Sequence, residues 1–148
     1  MVTTVRGPPN RAGPFYELIP GLGYYKFHSE VKNWYEARQI CAQEGAHLLI
    51  ANSPEEAKSM SVFWARHPKI TNDIRNDWAH IGIHDLNQEG KWVTIFDKPL
   101  NTTGYMKWLG NEPNGGTHED CGDINRFNGQ LADVVCTLEL PFICEHEL

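Results

Sequence analysis

Glu112-Pro113-Asn114-Gly115-Gly116-Thr117-His118-Glu119-Asp120-Cys121 is the stretch on which the fold turns. Glu112, Asn114 and Glu119 precede a cysteine, and Asp133 follows just before Cys136. Hard oxygen donors gathered at this density suit Ca²⁺, which takes about 6–8 oxygens from carboxylates, carbonyls and water. An X-Pro bond is cis at modest cost, and a cis Pro113 would turn Glu112 and Asn114 toward one point. Cys121 and Cys136 look like the small disulfide of a loop that would staple the set. These residues read as a calcium site with coordination positions left for a ligand.

The 148 residues suffice for one domain with a real core, not comfortably for two. A net charge of −6 argues against nucleic acid or an anionic membrane as the main partner and is compatible with cation binding. No apolar run approaches the ~20 residues of a membrane helix, so no membrane insertion is expected. The opening Met1-Val2-Thr3-Thr4-Val5-Arg6 lacks the apolar core of a signal peptide. The four cysteines, with no Cys-x-x-Cys pair, nevertheless argue for an oxidising compartment. A secreted, extracellular protein whose leader is absent from this chain is the expectation. Four cysteines allow three connectivities. The nested one, Cys41–Cys144 with Cys121–Cys136, would stabilise by roughly 4–5 and about 3 kcal/mol in the chain-entropy model. Asn101-Thr102-Thr103 is a glycosylation acceptor sequon and fits extracellular exposure.

Along the chain, residues 1–14 carry three prolines and two glycines, and residues 1–20 are assigned to a flexible leader, with the domain over 21–148. Tyr24-Tyr25-Lys26-Phe27 is a short strand. Asn33 and Glu36 form a capping-box pattern, Trp34, Ala37, Ile40 and Cys41 supply an apolar stripe, and Gly45 is a helix stop. His47 to Ile50 reads as a buried strand. A second helix begins at Ser53 with Pro54 in its first position, turns Ala57, Met60, Phe63 and Trp64 inward, and ends before Pro68. His80 to Ile83 is a central strand, Lys91-Trp92-Val93 another, and Gln130 to Val135 and Leu140 to Cys144 close the chain. Residues 97–120 form a long loop, a class of segment that is often functional. Helices early and strands with loops late make an α+β domain. Trp34, Trp64, Trp78 and Trp92 belong to the core, while Trp108 suits either core or ligand. His80 and His84 have metal-pair spacing for a helix, but on a strand they stand ~13 Å apart, which excludes a shared zinc.

Taken together, the Cys41 helix, His80-Ile81-Gly82-Ile83, Glu112-Pro113-Asn114, Glu119-Asp120-Cys121 and Asp133 before Cys136 resemble the C-type lectin-like domain family over roughly residues 21–146. The opening Gly21-Leu22-Gly23-Tyr24-Tyr25-Lys26 resembles that of insect haemolymph lectins, lipopolysaccharide-binding ones among them. The resemblance implies two helices with antiparallel sheets, the nested disulfides and a principal calcium ion held by Glu112, Asn114, Glu119 and Asp133. It further implies binding of two vicinal sugar hydroxyls by the same residues, with His118 packing on the sugar. The order Glu-then-Asn goes, within the family, with mannose-type ligands, and Gln-then-Asp with galactose. Asp85 and Glu89 match two acidic positions of an auxiliary calcium site.

The chain departs from the family pattern twice. Leu131-Ala132-Asp133 stands where Trp-Asn-Asp is usual, so Ala132 removes one calcium ligand and one amide donor. Gly115 stands where an aspartate often follows Glu-Pro-Asn. Weakened or altered sugar binding is expected, since a lost bond to a charged partner costs about 1.5–3 kcal/mol. The expected function is a calcium-dependent, non-enzymatic lectin for mannose-type glycans or bacterial surface saccharides, acting in innate immunity. The alternative is a lectin-like domain that binds a protein or lipid partner without calcium. A glycosidase-like use of the carboxylates is set aside, because nothing in the sequence raises the pKa of one of them. Self-association is compatible with the chain, as weak lectin sites gain from avidity.

Overall fold

The computed structural model describes residues 14–68 and 76–148. In chain order its elements are β1 Glu17–Ile19, β2 Gly23–Lys32, α1 Trp34–Gln43, β3 His47–Leu48, α2 Pro54–Ala65, β4 Trp78–His84, β5 Val93–Thr94, β6 Cys121–Asn125, β7 Leu131–Val134 and β8 Leu140–Glu147. Both helices start where local chemistry places them. At α1 the Asn33 side chain accepts from the Glu36 N–H at 2.9 Å, and the Glu36 carboxylate accepts from the Asn33 N–H at 3.2 Å. Gly45, with φ 75°, ends the helix in the left-handed region that a Cβ disfavours. At α2 the Ser53 hydroxyl accepts from the Glu56 N–H at 3.0 Å and Pro54 occupies the first turn.

The strands join in the order β1-β2-β8-β4-β6-β7, with β3 on β8 and β5 on β4. Pairings among the described strands are antiparallel apart from β4 with β8, which run parallel through His80 and Phe142. The sheet is therefore mixed. Buried on nearly every residue, β4 and β8 occupy its centre, as parallel neighbours covered on both faces do. The pleat divides the interior in two. Ile143 joins the core under α2 with Ala57, Met60, Phe63 and Trp64, while Phe142 and Cys144 join the core under α1 with Trp34, Ala37 and Cys41.

Two disulfides form in the nested arrangement, Cys41–Cys144 and Cys121–Cys136, with Cα–Cα distances of 5.4 and 5.1 Å. Trp34 connects both halves of the frame. Its N–H donates to the Cys136 carbonyl at 2.9 Å and its indole Nε1 to the Ile81 carbonyl at 2.8 Å. Trp34 and Trp64 are fully buried core residues; Trp78, Trp92 and Trp108 are half-buried against the two cores. His80 is also fully buried, its Nε2 sits 2.8 Å from the Leu138 carbonyl, and burial pulls its pKa down to about 4. No helix among the described residues is long and apolar enough to cross a membrane.

Three features differ from the sequence expectation. Residues 16–19, assigned to the leader, are part of the fold: Tyr16 is buried, its hydroxyl donates to Glu44 Oε1 at 2.7 Å, and β1 pairs with β2. The polar and proline neighbours of this short strand hide it, and pairing with the edge of β2 stabilises it. Residues 1–13 lie outside the described region. β6 has no strand signature, because Gly122 and Asp123 are poor strand formers; it forms between β4 and β7, whose ladders supply its hydrogen bonds. The expected strand at Lys91 to Val93 falls later, at Val93–Thr94. Replacing Asn33 by Ala should cost about 1 kcal/mol, read as a Tm lower by about 2–4 °C in thermal unfolding.

Candidate functional site

The long loop is strapped to the sheet before it reaches its acidic residues. Leu131 N–H donates to Lys107 and Leu109 N–H to Leu131, both at 2.8 Å, and Glu112 N–H then donates to Leu109 at 2.9 Å. The Glu112–Pro113 peptide is cis. After a 3-10 turn at Gly116–His118 the chain enters β6 at Cys121, which pairs with Val134, and the next pair is Gly122 with Asp133. Loop and sheet are thus brought together at one end of the β6–β7 hairpin.

Asp133 organises this end. Its Oδ1 accepts from the Asn114 N–H at 3.1 Å and its Oδ2 from the Gly115 N–H at 2.7 Å. One carboxylate oxygen from each of Glu112, Glu119 and Asp133 lies within 4.8 Å of the others. Two oxygens sharing one Ca²⁺ at 2.3–2.6 Å can stand at most about 5.2 Å apart, so this spacing fits a single ion. Glu112 Oε1 is buried without a hydrogen-bond partner, an oxygen with capacity to spare. The donor set is all hard oxygen, which selects calcium over the softer metals. Asn114, the remaining expected ligand, sits exposed at the rim with its backbone held by Asp133.

Like charges crowd one another here. A hydrogen bond to Asp133, then burial, then the charges of Asp133 and Glu119 push Glu112 up to about 7. Glu119 is also raised, by burial first and Asp133 second. The raised Glu112 is a feature the sequence did not suggest, and its cause lies in carboxylates brought together by tertiary contact. Gly115 owes its identity to the same crowding: a Cβ there would overlap the Glu119 side chain.

A second acidic group adjoins the first. Asp85 and Glu89 are joined by Asp120, again with oxygens within 4.8 Å of one another. Gly90 N–H donates to Asp85 Oδ2 at 2.8 Å, while Asp85 Oδ1 and Asp120 Oδ1 are buried without partners. Burial raises the Asp85 pKa, the Gly90 N–H opposes it, and Asp120 adds to the rise. Consecutive residues Glu119 and Asp120 therefore serve different clusters. Sequence reasoning took Asp120 no further than a motif residue, since a strand-end pair whose side chains diverge cannot be told from an exposed acidic pair. It also missed Asp123, a 4% exposed carboxyl of β6 that faces this end of the sheet. His118 is exposed on the 3-10 turn and belongs to neither acidic cluster, and Asn101 is exposed on another 3-10 turn, Leu100–Thr102. Trp108 packs edge-on to Trp92 at 5.0 Å.

A carboxyl whose folded pKa is raised contributes stability that is present at low pH and lost as pH rises toward the folded value. With Glu112 near 7, the chelator-treated domain should lose stability between about pH 4.5 and 7. Replacing Glu112 by Gln should flatten that slope in thermal melts across the same window; an unchanged slope would contradict the crowding.

The C-type lectin domain model ("Lectin C-type domain") matches residues 30–146. A hemolymph lipopolysaccharide-binding protein of Periplaneta americana is 46% identical over 154 aligned residues, covering all of this chain and 60% of that relative's length. Among solved structures, the carbohydrate-recognition domain of the mouse scavenger receptor C-type lectin superposes with a TM-score of 0.74 at 26% identity, over 90% of this chain and 96% of that one. A calcium-independent type II antifreeze protein shares the fold with a TM-score of 0.72 at 18% identity, over 95% and 94% of the two chains. With its nested disulfides, its strapped acidic loop and a family match over most of its length, this chain belongs to the C-type lectin domain family.

Proposed function

We propose that this domain is a secreted, calcium-dependent lectin that binds mannose-type sugars on microbial surfaces and performs no catalysis. The observation that carries the proposal is the set of three carboxylate oxygens, from Glu112, Glu119 and Asp133, spaced to share one ion at an open loop. Bound calcium would supply a charged anchor for two vicinal sugar hydroxyls. Glu112 and Glu119 would then accept hydrogen bonds from those hydroxyls, Asn114 would donate one from its amide, and His118 at the rim would pack on the ring. Asp133 holds the loop in register through Asn114 and Gly115. Saccharides of a bacterial surface are the favoured targets, in keeping with the name of the Periplaneta americana relative. Asp85, Glu89 and Asp120 are the ligands for an auxiliary ion. An N-glycan on Asn101 and self-association of copies complete the proposal.

A role as enzyme is not supported by the raised Glu112. Its proton is retained by the hydrogen bond to Asp133, by burial and by the charges of its neighbours, and a cation among them would reverse that balance. The alternative of a calcium-independent partner site finds support in one observation: the Asn114 and Gly115 N–H groups already hold the Asp133 carboxylate, so the loop has internal ties that need no ion.

Calorimetric titration with a mannoside should give a binding isotherm in millimolar Ca²⁺ and none in excess chelator; equal heats in both would reject the calcium mechanism. Replacing Glu112 by Gln together with Asn114 by Asp should move preference from mannose to galactose in the same assay. Gly115→Ala, which displaces Glu119, should weaken calcium binding by about tenfold or more; binding at the unaltered strength would show that Glu119 is no ligand.

A further inference from the structure

β6 and β7 are paired in register, Asp123 with Ala132 and Cys121 with Val134. On β6 the alternate residues Gly122 and Ile124 face the α2 core, where Ile124 is buried and a Cβ on Gly122 would run into Ile83. Cys121 and Asp123 consequently face the other way, on the same side as Ala132 and Val134. Directly opposed residues on one face have Cβ atoms about 4.5–5.5 Å apart. The short methyl of Ala132 leaves that space to Asp123. Asp123 is 4% exposed, and its Oδ1 is buried with no hydrogen-bond partner. A buried carboxylate oxygen without a partner is costly. Its charged neighbours are Glu112, Asp133 and Glu119, all acidic. Such an arrangement is intelligible when a cation is shared among them.

On the reading of Glu112, Glu119 and Asp133 as a calcium site, we infer that Asp123 supplies, from the adjacent strand, the oxygen that the chain lacks at position 132. Asp123 lies outside the set of oxygens mutually within 4.8 Å. It serves the ion from beneath, by a side-chain rotation or through one coordinated water, both of which a flexible calcium shell accepts. Substitution of an Asn by Ala on β7 is thus offset by an acid on β6. The exchange keeps an oxygen for the metal but not the amide donor for the sugar, so it preserves calcium binding while altering saccharide selectivity.

The test is a calcium titration by calorimetry on the full 148-residue chain, comparing wild type with Asp123→Ala, Asp123→Asn, Ala132→Asn and the pair Asp123→Ala with Ala132→Asn. Asp123→Ala should weaken calcium binding roughly 10–100-fold, Asp123→Asn less, and Ala132→Asn should restore most of the loss in the double variant. Melting in chelator serves as the control for folding, and there Asp123→Ala should be at least as stable as wild type because it removes a buried acid with an unpartnered oxygen among like charges. Asp123→Ala binding calcium as tightly as wild type would overturn the inference while leaving the calcium site standing, as would a folded double variant without recovery. Wild type that binds no calcium at all is a separate failure, of the site itself, and the inference falls with it.

Discussion

Two backbone N–H groups on one carboxylate hold the functional end of this molecule together. Asn114 and Gly115 donate to Asp133, and through those bonds the loop acquires a fixed position relative to β7. Everything around the site follows from that tie. Glu112, two residues earlier, is brought against Asp133, and Glu119 folds over Gly115, where no side chain could stand. Without the tie, the stretch between the straps at Lys107 and Leu109 and the start of β6 would have little beyond the 3-10 turn at Gly116–His118 to order it.

The cost of the arrangement is electrostatic. Glu112, Glu119, Asp133 and Asp123 are acids in one small volume, and the pKa values of Glu112, Glu119 and Asp123 are raised. The frame that tolerates this strain is covalent as well as packed. Cys121–Cys136 closes the hairpin beside the acids, and Cys41–Cys144 fixes α1 to the central strand β8. Trp34, bonded to Cys136 and Ile81, transmits that rigidity between helix, disulfide loop and sheet. The frame prevents the acids from relaxing apart, and that rigidity underlies the cation site proposed above.

Much of this was legible in the residues. The caps of both helices were readable because Asn33, Glu36, Ser53 and Pro54 act within one turn of chain, where sequence distance and spatial distance coincide. That Glu112, Glu119 and Asp133 would lie near one another was readable from their spacing beside two cysteines, whereas the side chain of Asn114 stays exposed at the rim. β1 and β6 were not, since both form from residues of weak strand propensity that are ordered by their neighbours. Asp120 and Asp123 were missed for a related reason. Each is one acid among several in sequence, and its role depends on which way a strand end or a pleat directs it.

By itself, then, the sequence determined the family, the class of fold, the helix boundaries and the oxygen-rich chemistry of the loop, all of which reside in local pattern. The tertiary structure alone decided which acids meet. It separated Glu119 from its neighbour Asp120, sent Asp85 and Glu89 to the latter, and set Asp123 opposite Ala132. Register and pleat make those choices, and a shift of one residue along either strand would exchange every one of them.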